Sequence, residues 1–240
     1  MCISPLSKNS LSNMNKFKYK STDESIMHNK CISPCLKYLV NFLPRCLAPN
    51  LNTVISLGFN IFAPAVSYND GGFDFSHQLK SSTCHIIGIF QLLYLLLDNI
   101  DGKQARRTGN STPFGMLMDH GCDVFTNIFT AYNLSKLALV GNEDVYSFSI
   151  FFGLILGFYM MTYEEYKLGE MHFPPINGTD EGNLFFLFGI CCGIFRQDFL
   201  SYAIIEKYSI NVGRVIQLGV VIDGISCVCN LYIHTYKKKD

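Results

Sequence analysis

Apolar residues gather along the chain into six runs, roughly 51 to 68, 84 to 104, 115 to 140, 145 to 165, 184 to 204 and 212 to 234. Each is close to the ~20 residues that a helical bilayer crossing requires. Turn-forming polar segments separate them, such as YNDGGFD at 68–74 and GNED at 141–144. The pattern predicts an all-α, polytopic membrane bundle of about six transmembrane helices. Before the first run, CLKYLVNFLPRCLA (35–48) mixes apolar residues with Lys37 and Arg45 and is broken by Pro44. It is too short to span and predicts an N-terminal interfacial helix. Pro49 then suits the first turn of the helix that follows. Gly153 with Gly157, and Gly189 with Gly193, would permit close helix approach. The domain plan is a disordered cytosolic tail over 1–30, a transmembrane domain over 31–236 and a dilysine-like tail over 237–240.

Composition agrees with a membrane protein: of 240 residues 49% are hydrophobic and 16% charged, and mean hydropathy is +0.21. Net charge is zero, which gives no argument for a nucleic-acid partner. Ten cysteines lack zinc-like spacing and no secretory leader precedes them, so they read as packing residues. Basic residues crowd 16–37, 103–107 and 237–239, whereas 68–74 and 141–144 are acidic. By the positive-inside rule the tail, the 98–123 region and the C-terminus share the cytosolic face. The final KKKD resembles a retrieval signal of the endoplasmic reticulum, and a simple positive anchor reads the same residues equally well.

The chemistry concentrates in DNIDGKQARRTGNSTPFGMLMDHGCD, residues 98–123. Asp98 and Asp101 fall on one helical face, and Asp119 and Asp123 do the same on the next helix. A short turn over 106–114 makes the two helices antiparallel neighbours offering four carboxylates to one spot. Each intramembrane acid costs about 2.5 to 3.5 kcal/mol on insertion scales, so something must offset the group. An all-oxygen set suits Mg²⁺ or Mn²⁺, and two such ions would balance four charges. A two-metal carboxylate site commonly clamps a pyrophosphate. Arg106 can meet phosphate oxygens bidentately. Gly102, Ala105 and Gly115 keep the wall low for a nucleotide.

Asp98-x-x-Asp101-Gly102-x-x-Ala105-Arg106, eight residues, then Gly115-x-x-x-Asp119-x-x-x-Asp123 resembles at every fixed position the signature of the CDP-alcohol phosphatidyltransferases. DGKQARRT, MDHGCD, APNLNT (48–53), YEEY (163–166) and INGTDEG (176–182) look like the choline- and ethanolaminephosphotransferase branch. The resemblance implies transfer of phosphoethanolamine or phosphocholine from CDP-ethanolamine or CDP-choline to diacylglycerol, releasing CMP. It implies that Asp98, Asp101, Asp119 and Asp123 hold the ions, and that Gly102, Ala105, Arg106, Gly115 and more weakly Asn50 surround the nucleotide. For the base that takes the lipid hydroxyl's proton it implies Asp123, with His120 and Glu181 as alternatives. It further implies a multi-pass protein of the endoplasmic reticulum or Golgi membrane, with active site and both termini cytosolic and a homodimer among the assemblies open to it. Members of that branch are longer, with about ten spans, whereas this chain stops after about six; the intact signature favours an active enzyme. Competing readings are a CDP-diacylglycerol-dependent enzyme with an inositol or glycerol phosphate acceptor, a divalent-cation carrier, and an inactive membrane scaffold. A carrier has no use for Arg106, which would repel a cation.

Overall fold

The computed structural model describes residues 20–26, 28–142, 144–174, 185–195, 197–201, 203–205 and 210–237, with Ser7 and Asn9 besides. The INGTDEG stretch with Glu181, most of the N-terminal tail and residues 238–240 lie outside the described residues.

A short strand β1 (Ser21–Asp23) leads through a π-helical turn (His28–Ile32) into helix α1 (Ser33–Leu39) and a 3-10 turn (Val40–Phe42). The helical path stops at Leu43, whose φ of −75° and ψ of 134° are extended. A residue before proline is pushed out of the helical region, and Pro44 follows. A helix does precede the first span, as expected, but it ends before Pro44. It is two-faced: Leu36 and Val40 are buried against Ile100, while Tyr38 and Phe42 are exposed.

Four long helices follow: α2 (Pro49–Gly71), α3 (Ser81–Thr108), α4 (Pro113–Ala138) and α5 (Asp144–Leu168). After them come strand β2 (Met171–Phe173), the short helix α6 (Phe185–Phe195), a 3-10 turn (Gln197–Ser201), strands β3 (Ala203–Ile205) and β4 (Ile210–Asn211), and helix α7 (Val212–Lys237). Pro49 occupies the first turn of α2 and Pro113 that of α4. A missing N–H there costs no helical bond.

The described residues form a helical membrane bundle, but the six spans do not all materialise as drawn. Four helical stretches are long and apolar enough to cross: α2, α3, Ser147–Leu168 of α5 and Val212–Ile233 of α7. Helix α4, 26 residues long, has the length at about 1.5 Å per residue. It falls short of the others in apolarity because Asp119, Asp123 and Lys136 sit along it. The expected span over 184–204 is an 11-residue helix, too short to cross, followed by a turn. The interruption has a physical cause: Gln197 at that turn is fully buried, its amide committed to the end of α4.

β1 and β2 pair in parallel, Ser21 opposite Met171 and Asp23 opposite Phe173. The end of the tail expected to be disordered is thus pinned beside α5.

α2 packs along α3 and α4, α6 along α3, and α7 along α5. Small residues make two of these contacts possible. A Cβ on Gly189 of α6 would lie 2.9 Å from the Gly88 Cα of α3, and one on Gly224 of α7 would lie 2.6 Å from the Gly153 carbonyl oxygen of α5. Backbones approach where side chains are missing. The main apolar core, including Cys84, Ile87, Ala131, Leu137, Ile150 and Cys192, gathers toward the C-terminal end of α4. The nine described cysteines are free thiols; Cys84 and Cys192 are buried in the core, whereas Cys31, Cys35, Cys46 and Cys229 are exposed.

Candidate active site

The reversal between α3 and α4 takes four residues. Gly109 closes α3 at φ +69°, a left-handed conformation that glycine enters without a Cβ clash. Thr112 opens α4, its hydroxyl accepting from the Gly115 N–H at 3.0 Å. The antiparallel pair brings Asp98, Asp119 and Asp123 together, with carboxylate oxygens all within 4.8 Å of one another. Tyr94, one turn before Asp98, donates its hydroxyl to Asp123 Oδ1 at 3.3 Å. Among the described residues no basic side chain forms an ion pair with any of the three.

Asp101 adjoins them through Asp119, whose carboxyl its own meets. It sits further toward the end of α3, 8% exposed, and accepts a short hydrogen bond from the Thr53 hydroxyl of α2. Three of the four expected acids are thus mutually close, and the fourth, Asp101, touches Asp119 while bonded also to a neighbouring helix.

Two cavities meet here. One, of about 410 Å³, holds Asp98, Asp119 and Asp123 and continues down α4 between α3, α5 and α7. The other, of about 510 Å³, is lined by Asn50, Thr53, Asp101, Gly102, Ala105 and Gly115. Arg106, Asp119 and His120 line both. The residues read from the sequence as a nucleotide pocket thus do converge, adjoining the acid trio.

The two glycines do different things. A Cβ on Gly115 would lie 3.2 Å from Asn50 Oδ1, so this glycine lets the start of α2 come close to α4. A Cβ on Gly102 would meet only the Arg106 guanidinium, at 3.6 Å. That is an ordinary contact, so the Arg106 position does not itself require a glycine here.

His120 projects between the cavities with its Nδ1 3.8 Å from Glu165 Oε2, and its ring meets Phe158 edge-on. Glu165 lies in YEEY and Thr53 in APNLNT, stretches conspicuous in the sequence. Their individual roles were not legible, because nothing local says which residue of α2 or α5 will face α3 and α4. Tyr94 carried a weak signal, four residues before Asp98 on one helical face.

Three convergent carboxylates without a cation, two of them on one helix face, suit a hard divalent ion, since oxygen donors alone are present. Arginine at the shared wall offers planar recognition of phosphate. The arrangement can gather an anionic pyrophosphate and an acidic, metal-binding centre at one junction.

Comparison with known proteins gives a consistent picture. An uncharacterized CDP-alcohol phosphatidyltransferase class-I family protein of Dictyostelium discoideum is 36% identical over 182 residues, covering 74% of this chain and 44% of that protein. Choline/ethanolaminephosphotransferase 1 of Arabidopsis thaliana is 31% identical over 173 residues, covering 70% of this chain and 42% of that protein. Cholinephosphotransferase 1 of Homo sapiens is 31% identical over 179 residues, covering 73% and 43%. The chain spans about half the length of the curated relatives it matches. The sequence model for the CDP-alcohol phosphatidyltransferases matches residues 46–167, which take in α2 through nearly all of α5 and every residue of both cavities' shared wall. Carrying that family's signature on the helices that build this junction, the chain belongs to the CDP-alcohol phosphatidyltransferase family.

Proposed function

We propose that this membrane protein transfers phosphoethanolamine or phosphocholine from its CDP ester to the hydroxyl of diacylglycerol, releasing CMP. The observation that carries the reading is the junction itself: a trio of carboxylates without a basic partner among the described residues, opening onto a second cavity through a wall shared by Arg106, Asp119 and His120. Relatives named as choline/ethanolamine- and cholinephosphotransferases support the aminoalcohol over other CDP-alcohols.

In this reading the cytidine diphosphate occupies the cavity lined by Asn50, Gly102, Ala105 and Gly115. Arg106 holds the pyrophosphate oxygens from the shared wall. Asp98, Asp101, Asp119 and Asp123 would hold Mg²⁺ or Mn²⁺, two ions balancing the four carboxylates. Such ions, when bound, offset the carboxylate charge and stabilise the departing CMP oxygen. The acceptor hydroxyl oxygen attacks the phosphorus that bears the alcohol. A new P–O bond forms as the bridging P–O bond to CMP breaks.

His120 takes the hydroxyl proton. An imidazole is a better acceptor near neutral pH than a metal-bound aspartate, and Glu165 beside Nδ1 orients the ring and steadies its charged form. The charge pattern supports a cytosolic site in the endoplasmic reticulum or Golgi membrane, where the CDP ester arrives from water. The test uses detergent-purified protein with diacylglycerol, Mg²⁺ or Mn²⁺ and each CDP ester. Lipid product and CMP in equal amounts are expected, and Asp101→Ala should abolish both while membrane insertion persists. Normal turnover by that variant would overturn the site.

A further inference from the structure

Part of the wall around the acid trio comes from far away in the chain. Ser21, Asp23 and His28 line that cavity from the N-terminal segment, and Met171 and Phe173 line it from the strand after α5. β1 and β2 run side by side in parallel there, with Thr22 opposite His172. Successive side chains of a strand point to opposite faces. Ser21 and Asp23 therefore share the cavity face with Met171 and Phe173, while Thr22 and His172 belong to the other. That outer face has contacts of its own: Thr22 Oγ1 donates to Glu170 Oε1 at 3.4 Å, and His172 Nε2 lies 3.9 Å from Glu24 Oε2.

The chain after this ribbon is fixed more firmly than the ribbon itself. Leu36 and Val40 are buried against Ile100 of α3, Lys103 Nζ donates to Ser33 Oγ at 3.2 Å, and Arg107 donates to the Leu43 carbonyl at 3.0 Å. β1, by contrast, is exposed at all three residues. Its pairing is flanked by the Glu24 N–H on the Phe173 carbonyl at 2.9 Å and the Met171 N–H on the Lys20 carbonyl at 3.2 Å. A two-stranded ribbon is marginal in water, and exposed ion pairs add little to it. Between the two regions sits Ser25, fully buried, its hydroxyl accepting from the His28 N–H at 3.1 Å and its carbonyl from the Asn29 N–H at 3.2 Å. A lightly held strand thus ends on an anchored turn.

The transfer chemistry gives such a strand a task. A phosphorus made ready for attack by a lipid hydroxyl is open to attack by water as well, and closing the site over it keeps water out. The same mouth has to open, because a charged ester arrives from water. While β1 lies in place, Asp23 adds a carboxylate at the edge of the cavity, which repels an approaching pyrophosphate.

We infer that residues 20–24 form a lid, hinged at Ser25, that covers the mouth of the acid-lined cavity, opens to admit the CDP ester and closes to shield the reacting phosphorus from water. The inference rests on the transfer reaction proposed above.

The experiment bridges the lid to its partner strand from the outer face. Thr22→Cys with His172→Cys puts two thiols at directly paired positions, within the reach of a disulfide, and leaves the cavity lining untouched. The purified protein in detergent is oxidised, the bridged fraction is read by peptide mass spectrometry, and CMP and lipid product are followed before and after dithiothreitol. CMP release is expected to fall in step with the bridged fraction and to return on reduction, while the wild type and both single variants ignore the oxidant. A bridged protein as active as its reduced form overturns the lid, as does failure of the bridge to form or an equal loss in the single variants. A second variant, Glu24→Pro, removes the N–H that holds the Phe173 carbonyl and loosens the lid. Water then attacks the phosphorus in place of the lipid hydroxyl, the bond to CMP breaks, and CMP and the free phosphoalcohol result. CMP in excess of lipid product is expected from this variant, and equal amounts overturn the shielding. No CMP release by the wild type from either ester overturns the transfer reading and the lid's task with it, whereas bridge formation reports the strand pairing in either case.

Discussion

The two ends of α4 bury their charged groups differently, although Asn133 Nδ2 and Ser135 Oγ at the C-terminal end are also unpaired. At its C-terminal end Lys136 is fully buried and donates to the Gly71 and Asp74 carbonyls at 3.2 and 2.8 Å. Gln197 donates to the Lys136 and Leu137 carbonyls at 2.9 and 2.8 Å and accepts from the Leu79 N–H at 2.6 Å. Tyr132 donates to the Gly72 carbonyl at 2.6 Å. These polar groups hold the α2–α3 connection and the turn after α6 to one helix end. At the other end, Asp98, Asp119 and Asp123 crowd together without a basic partner among the described residues, and Thr126 and Thr130 below them keep their hydroxyls unpaired. The contrast separates two uses of polarity inside a membrane protein. Paired buried groups specify the fold, whereas unpaired ones facing a cavity prepare it for a ligand.

The comparison can be broken most directly at the acids. Asp119→Asn should lower CMP release by about a thousandfold or more, the scale for losing a group that organises transition-state charge. Its thermal stability without metal should hold or rise, because one member of a mutually repelling trio is gone. Loss of activity together with loss of fold would mean that the acids are structural.

At the opposite end the signs reverse. Lys136→Met removes a buried donor from two carbonyls and should cost about 3 kcal/mol of stability. Turnover per folded molecule should stay near wild type, as read by denaturant unfolding alongside the CMP assay. Gln197→Ala should follow the same pattern at about 1–2 kcal/mol, since its bonds are between neutral groups. A specific-activity defect in either variant would erase the distinction between the two ends.

The smallest effect belongs to the loop that the structural end secures. Asn142 Nδ2 donates to Asp74 Oδ1 at 2.8 Å and the Ser76 N–H donates at 2.9 Å, and these bonds hold the Asp74 carboxyl below its usual value of 3.8. A depressed carboxylate stabilises the fold above the unfolded-state value and loses that contribution as pH falls through the folded one. Asn142→Ala should therefore lower Tm at pH 7 and by less near pH 2, where only the bond its Oδ1 accepts from the Phe75 N–H is lost. A Tm difference that grows on acidification would contradict the assignment.

The sequence and the structure divided the problem along physical lines. Hydrophobic run length and turn residues were enough for α2, α3, α5 and α7, because a bilayer crossing depends on local apolarity and length. Pro44, Pro49, Gly109 and Pro113 marked boundaries through backbone sterics, which are equally local. Helical periodicity grouped Asp98 with Asp101 and Asp119 with Asp123, and the motif resemblance named the family. The expected span over 184–204 failed because Gln197 turns inward to α4, a long-range demand that hydropathy does not register.

By itself, then, the sequence determined the helical class, the short reversal between α3 and α4 and the residue types of the site, since each follows from spacing along one or two successive helices. Only the tertiary structure decided which acids share a space. Thr53 of α2 ties Asp101 to a third helix, Glu165 of α5 reaches His120, and α5 and α7 complete the cavity that Thr126 and Thr130 also line. Those choices depend on how helices distant in the chain rotate against one another, and that rotation is fixed by packing over the whole bundle, which no local pattern encodes.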